Sequence, residues 1–139
     1  MATEAEKQAY IDDMARKRGY VLDYHKKMAK QDYDVLMASN DLVGAAYLNP
    51  RLLDRKTKEL IFIVSLTVMR ASKGHIQSHI RVALDLGVSA QEILEAIEIS
   101  LPEAGVVAFQ VGFDAWCEVV GAEGMEPTVT AHEGGSGGA

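Results

Sequence analysis

The chain has little of what several function classes require. It holds a single cysteine, Cys117, so no internal disulfide can form and a reducing compartment suits it. That cysteine lies in the apolar run AFQVGFDAWCEVV, where a buried, inert thiol is expected. Long hydrophobic stretches are missing too. The longest, Leu60 to Met69, contains Ser65 and Thr67 and is about half the ~20 residues a membrane-spanning helix needs. Positive charge is also scarce, with 14 basic against 20 acidic residues and a net charge of −6. A nucleic-acid backbone would require a clustered basic surface. The one basic run, Arg16-Lys17-Arg18 with Lys26-Lys27 nearby, is interleaved with acids and reads as a solvated face. The N-terminus is polar and charged, so no secretory signal is expected. A cytoplasmic, soluble protein with no nucleic-acid or membrane partner is the expectation.

What is present reads as helix throughout, because no useful length of alternating strand pattern competes. Thr3 with Glu6 forms a capping-box start, and Gly19 can close that first helix. A second segment spans Val21 to Lys30. Asp32 or Asp34 can cap a third through VLMASNDLVGAAYL, stopped by Asn49-Pro50. Asp54 caps a fourth, RKTKELIFIVSLTVMRA. Ser72-Lys73-Gly74 is an expected interruption before a fifth helix from His75 to Leu86, ended by Gly87. Ser89 with Glu92 forms a second capping box that opens Ala90 to Leu101, and Pro102 is expected to break that helix. The last helix runs from about Ala104 to Val120. The expected organisation is one domain over residues 1–121 and a flexible, linker-like tail over 122–139 ending GGSGGA. Two helices, Leu60–Met69 and the last one, are apolar nearly all round. A surface helix of a small monomer shows one apolar stripe, so the surplus predicts a homo-oligomer.

The chemistry is expected around Ser72 to Glu95. His75 and His79 stand one turn apart and share a helix face. They could form a metal pair, an acid–base with a helper, one active histidine beside a bystander, or two structural histidines at a helix contact. The zincin pattern wants glutamate after the first histidine, and Ile76 is there instead. Glu59 stands at the edge of the apolar stretch, where desolvation would raise its pKa as a proton shuttle needs; otherwise it is a solvated first-turn glutamate. Arg70 and Lys73 could bind a substrate carboxylate or simply complement a helix C-terminus.

Residues from about Leu53 to Ala96 resemble the carboxymuconolactone decarboxylase family, whose other branch is the AhpD-like alkylhydroperoxidases. The resemblance rests on Lys58-Glu59-Leu60-Ile61, the histidine of SHIRVAL, and Ala83-Leu84, Gly87, Ser89, Glu92-Ile93 and Glu95-Ala96. It implies an all-α AhpD-like bundle of about six to seven helices, assembled as a homotrimer or homohexamer. The peroxidase branch carries C-x-x-C-x-x-x-H. With the histidine set on His79, its cysteine positions fall on Ser72 and His75, and thiol–disulfide exchange cannot run on serine and imidazole. The cysteine-free branch is the better match. It implies a lyase that decarboxylates a carboxylated lactone or related ring-derived acid in aromatic catabolism, with no cofactor and no metal. His79 would then be the proton donor, His75 a second acid–base group or a hydrogen-bond donor to the enolate, and Glu59 the residue that orients or recharges the histidine. Arg70, Lys73 and Ser72 would lie on the substrate side, facing a small-molecule carboxylate. A lactone hydrolase or isomerase using the same residues, or a non-catalytic family member, are the alternatives.

Overall fold

The computed structural model describes residues 1–121; the expectation of a flexible tail falls outside them. The described residues contain helices and no strand. Helix α1 (Glu4–Arg18) opens on the expected capping box: Thr3 Oγ1 accepts from the Glu6 N–H at 3.2 Å, and Glu6 accepts from the Thr3 N–H at 2.7 Å. It ends at Gly19, whose left-handed φ of 85° lets the chain turn sharply. A Cβ at Gly19 would stand 3.1 Å from Val82 Cγ2, so glycine also permits the close approach of this turn to the later bundle.

Helix α2 (Asp23–Gln31) follows, and Asp32 then caps α3 (Tyr33–Val43) by accepting from the Val35 N–H at 3.3 Å. The third helix continues into a π-turn, Gly44–Leu48, closed by the Asn49 N–H donating to the Gly44 carbonyl at 2.9 Å. The extra residue in that turn resets the helical register and carries Tyr47 into the interior. Helices α1 to α3 enclose a small core of Ile11, Met14, Ala29 and Leu36.

The second, larger core belongs to the remaining helices. Asp54 caps α4 (Arg55–Val68), and Ser72 caps α5 (Lys73–Asp85), so the expected interruption at Ser72 is a helix start. Ser89 and Glu92 form the second capping box, opening α6 (Ala90–Glu98). Pro102 does not break that helix, contrary to expectation. The boundary falls at Ile99, and Pro102 sits in the first turn of the short α7 (Ser100–Ala104). Backbone N–H groups there have no intrahelical acceptor, so a proline removes nothing. Gly105 leads into α8 (Val106–Val120). Ile63, Ile76, Ile80, Ile93 and Ile97 form the centre of this bundle, each fully buried. Truncating one to alanine would cost about 2–5 kcal/mol. Helices α4 and α8 come into closest contact at Gly112, where a Cβ would stand 2.7 Å from Thr67 Cγ2. Both helices nevertheless keep large side chains in solvent: Ile61 on α4 with Met69 at its C-terminal end, and Val106 and Val107 on α8.

Candidate functional site

The two cores meet along a polar seam, and most of the protein's buried charge lies on it. Glu59, in the second turn of α4, has no solvent exposure, so the reading of it as a solvated first-turn residue fails. Its carboxylate Oε2 accepts from Nδ1 of His79 on α5 at 2.7 Å, even though 20 residues of chain separate the two. Oε1 accepts from Arg55 Nε at 2.9 Å and from the Tyr47 hydroxyl. Arg55 Nη2 also donates to the Tyr47 oxygen at 2.8 Å and to the Arg18 carbonyl at 2.7 Å, stitching α1 to α4. Two fixed donors on Oε1, Arg55 Nε and the Tyr47 hydroxyl, favour the carboxylate over the neutral acid, and facing a carboxylate His79 Nδ1 is the donor to Oε2. Burial works against it, pushing the Glu59 pKa above the usual carboxylate value, while the His79 contact pulls it back.

His79 is equally buried. Since its Nδ1 carries the proton shared with Glu59, Nε2 is left with a lone pair, and that atom has no hydrogen-bond partner among the described residues. The Phe62 ring stacks on the imidazole with centroids 4.5 Å apart and planes inclined by 7°, and Tyr20 covers it at 4.8 Å. A buried basic nitrogen with a carboxylate behind it and aromatic rings around it is the arrangement of an acid–base group kept from water.

The remaining expected site residues divide. His75 is brought beside His79, with ring centroids 5.5 Å apart; burial first, and then the His79 charge, lowers its pKa, so it stays neutral. Ser72, Arg70 and Lys73 are not brought to this pair. Ser72 is exposed and caps α5. Lys73 is exposed and pairs with Glu118 at 3.0 Å. Arg70 is exposed, in the left-handed connection between α4 and α5 at φ 55°. None of the three hydrogen-bonds to Glu59 or His79.

Sequence reasoning passed over Arg18, Tyr20, His25, Tyr47 and Arg55. Arg18 corrects an expectation outright. The Arg16-Lys17-Arg18 run is not wholly a solvated face, because Arg18 turns inward and is only 4 % exposed. Its Nη2 donates to Asn40 Oδ1 at 2.7 Å. His25, also buried, accepts the Leu22 N–H on Nδ1 at 3.0 Å, and desolvation together with Arg18 lowers its pKa to about 4. Arg55 had a readable signal: it stands four residues before Glu59 on one helix, the spacing of an ion pair.

Two hollows flank the seam. A polar cleft of about 500 Å³ is lined by Arg18, Asn40, Asn49 and Arg55 among others. An apolar one of about 250 Å³ has Tyr47, Phe62, Ile61 and Met69 in its wall. The first reaches Glu59 through Arg55, and the second shares Phe62 with His79 and Tyr47 with Glu59. Among the described residues no group of three or more histidine, cysteine or acidic side chains is arranged to hold a metal. Cys117 is half-buried on α8, and burial raises its pKa, which favours the thiol over the reactive thiolate. No helix among the described residues is long and apolar enough to cross a membrane.

A model of the carboxymuconolactone decarboxylase family matches residues 34–118, more than half of the chain and all of the Glu59 and His79 segments. No curated protein and no solved structure matches significantly.

Proposed function

The chain belongs to the carboxymuconolactone decarboxylase family, and from that premise and the buried dyad we propose that it is a cofactor-free carboxy-lyase acting on a carboxylated lactone or a related ring-derived acid. The observation that carries the reading is the unpartnered Nε2 of His79, with Nδ1 fixed on Glu59 at 2.7 Å. In such a reaction the bond from carbon to the carboxylate breaks and carbon dioxide leaves. The electron pair passes into the conjugated carbonyl of the substrate as an enolate. The Nε2 lone pair of His79 takes up a proton from solvent, and the Glu59 carboxylate stabilises the imidazolium so formed. Delivery of that proton to carbon returns the ring to its starting state, with Nδ1–H on Glu59 and the lone pair on Nε2. Arg55 and Tyr47 hold Glu59 at the correct angle, and Phe62 and Tyr20 keep water from the imidazole.

Neither flanking hollow is lined by His79 itself. One, lined by guanidinium and amide groups, meets the dyad through Arg55, and the other, lined by apolar side chains, through Tyr47 and Phe62. Substrate must therefore displace one of these three side chains to reach Nε2. Arg55, rather than Arg70 or Lys73, is the cation that touches the dyad. We extend the proposal to assembly. Ile61 on α4, Met69 at its C-terminal end and Val106 and Val107 on α8 are at least 48 % exposed, and burying them against further copies of the chain would recover that apolar surface. A trimer or hexamer is the form the family resemblance implies, and light scattering on the purified protein reads it directly.

The test of the lyase is carbon dioxide release and absorbance change on 4-carboxymuconolactone, with wild type and His79→Ala compared at equal oligomeric state. Turnover that falls by about 10²–10⁴ in the variant is expected for loss of a positioned acid–base group. Undiminished turnover in His79→Ala would remove the dyad from the mechanism. No turnover by a folded wild type would sink this substrate.

A further inference from the structure

Arg18 is a buried cation without an anion. Among the described residues it forms no ion pair, although buried guanidinium groups are ordinarily paired. Of its five N–H donors, one is bound by Asn40 Oδ1, and Nε has no partner at all. Nη1 stands 3.5 Å from His25 Nε2, but that contact satisfies nothing. His25 already accepts the Leu22 N–H on Nδ1, so in the neutral ring Nε2 bears hydrogen and two donors face each other. The Tyr20 ring, 6.0 Å away, adds a weak cation–π contact and its hydroxyl a neutral hydrogen-bonding neighbour, but neither supplies a negative charge.

The neighbouring charges do not supply the missing anion. Lys17 is held by Asp13 at 2.9 Å and Arg55 by Glu59 at 2.9 Å. Asp41, on the wall of the same cleft, is exposed and makes no ion pair with Arg18. Arg18 lines the cleft of about 500 Å³, which is within the size range of small-molecule sites.

We propose that this cleft is a carboxylate-binding site in which the fork of Arg18 holds the carboxylate of a small organic acid. One unneutralised cation matches one singly charged group better than a multiply charged phosphate. A planar guanidinium offers parallel N–H donors to a two-oxygen anion. The Nε of Arg18 is enclosed without a partner, so the carboxylate must enter from the part of the side chain that lines the cleft. Asn40 holds one Nη2 donor of the fork, and both Asn40 and Asn49 lie on the cleft wall as hydrogen-bonding groups. That the bound acid is the substrate of the Glu59–His79 dyad rests on the lyase reading; the binding itself does not.

The decisive variant is Asn40→Asp, which places a carboxylate where the amide oxygen now lies, 2.7 Å from Arg18 Nη2. The shape is unchanged, and the Tyr10 hydroxyl, which now accepts from Asn40 Nδ2 at 2.8 Å, can turn to donate. Calorimetric titration uses benzoate and acetate as probes, benzamide as the uncharged control and sulfate as the inorganic anion. Wild type should bind benzoate saturably and melt at higher temperature with it, and benzamide should do neither. Asn40→Asp should fold, melt above wild type without ligand, and bind benzoate at least about tenfold more weakly. Benzoate affinity unchanged in Asn40→Asp, equal binding of benzamide, tighter binding of sulfate, or no carboxylate binding by folded wild type would each overturn the site. Benzoate binding without any lyase turnover would leave the site standing and sink the lyase. Turnover indifferent to Asn40→Asp would separate the site from the reaction.

Discussion

Glu59→Gln is the perturbation that tests the core of this site, and its consequences follow from which atoms are donors. The amide can keep its oxygen where Oε1 now accepts from Arg55 Nε and Tyr47, because both of those groups donate. Its NH2 must then face His79 Nδ1, which also carries hydrogen while it is bonded to a carboxylate. Two donors cannot face each other at 2.7 Å, so the imidazole must change tautomer: Nδ1 becomes the acceptor and Nε2 takes the proton. The neutral ring then presents N–H where wild type presents a lone pair. A carboxylate-to-amide change behind a catalytic histidine acts through this same switch, and a loss of about 10⁴ in turnover is the expected scale.

The stability cost can be bounded as well. Hydrogen bonds to a charged group contribute about 1.5–3 kcal/mol and neutral ones about 1, so the bonds from Arg55 and His79 each lose part of their strength. Removing the burial cost of the carboxylate offsets some of that, leaving a net loss of about 2 kcal/mol. For a domain of this size the melting temperature should fall by roughly 6–10 °C. Nitrogen NMR of the His79 ring reports the tautomer without any substrate, and calorimetry reports the stability. A His79 ring that keeps its proton on Nδ1 in Glu59→Gln, or a wild type that already holds it on Nε2, would refute the assignment of roles.

Three further outcomes follow from the structure. His25 has a folded pKa of about 4 against 6.5 for the free side chain, so the unfolded chain binds the extra proton first. Stability should therefore drop as pH falls from about 6.5 to 4, by up to about 3 kcal/mol, and level off below. Denaturant melts of His25→Gln should lack that component; an unchanged slope would mean His25 is not the source. Gly112→Ala drives a methyl into Thr67 and should cost about 1–3 kcal/mol, whereas Thr67→Ala in the same chain should recover most of it. Purely additive losses in that double-mutant cycle would contradict the close helix contact. Gly19→Ala forces an L-residue to φ 85° beside Val82 and should destabilise by about 1–2 kcal/mol; the ring-current shifts of His79 should change as Tyr20 moves.

The parts of the molecule that were legible in the sequence are those fixed by local chemistry. Both capping boxes, the aspartate caps at Asp32 and Asp54 and the glycine stop at Gly19 are short-range hydrogen-bond patterns, and they occur where the residue order puts them. Pro102 misled because its meaning depends on its position within a helix, and a first-turn proline resembles a breaker in a linear string. Glu59 and His79 were readable as candidates from residue type and family pattern, yet their contact was not, since it depends on how α4 packs on α5. Arg18 was the hardest. A basic run on an amphipathic helix reads as solvent-facing, and only the docking of α1 against α3 and the π-turn turns its third member inward.

That docking bears on how the site is built. The helices α1 to α3 have a core of their own, and the dyad belongs to the other core. What joins them is largely the polar seam: Arg55 donating to the Arg18 carbonyl, Tyr20 against His79, and Tyr47 reaching Glu59 from the π-turn. Tyr20 and Arg18 come from the same turn, one covering the imidazole and the other facing the polar cleft. An anion bound by Arg18 would therefore stabilise the turn that closes over His79. Occupancy of the cleft and exclusion of water from Nε2 become one event, because both depend on the α1–α2 connection staying seated on Val82 through Gly19. A carboxylate-bearing ligand should then slow exchange of solvent protons with the His79 ring as well as raise the melting temperature, and its uncharged amide should do neither.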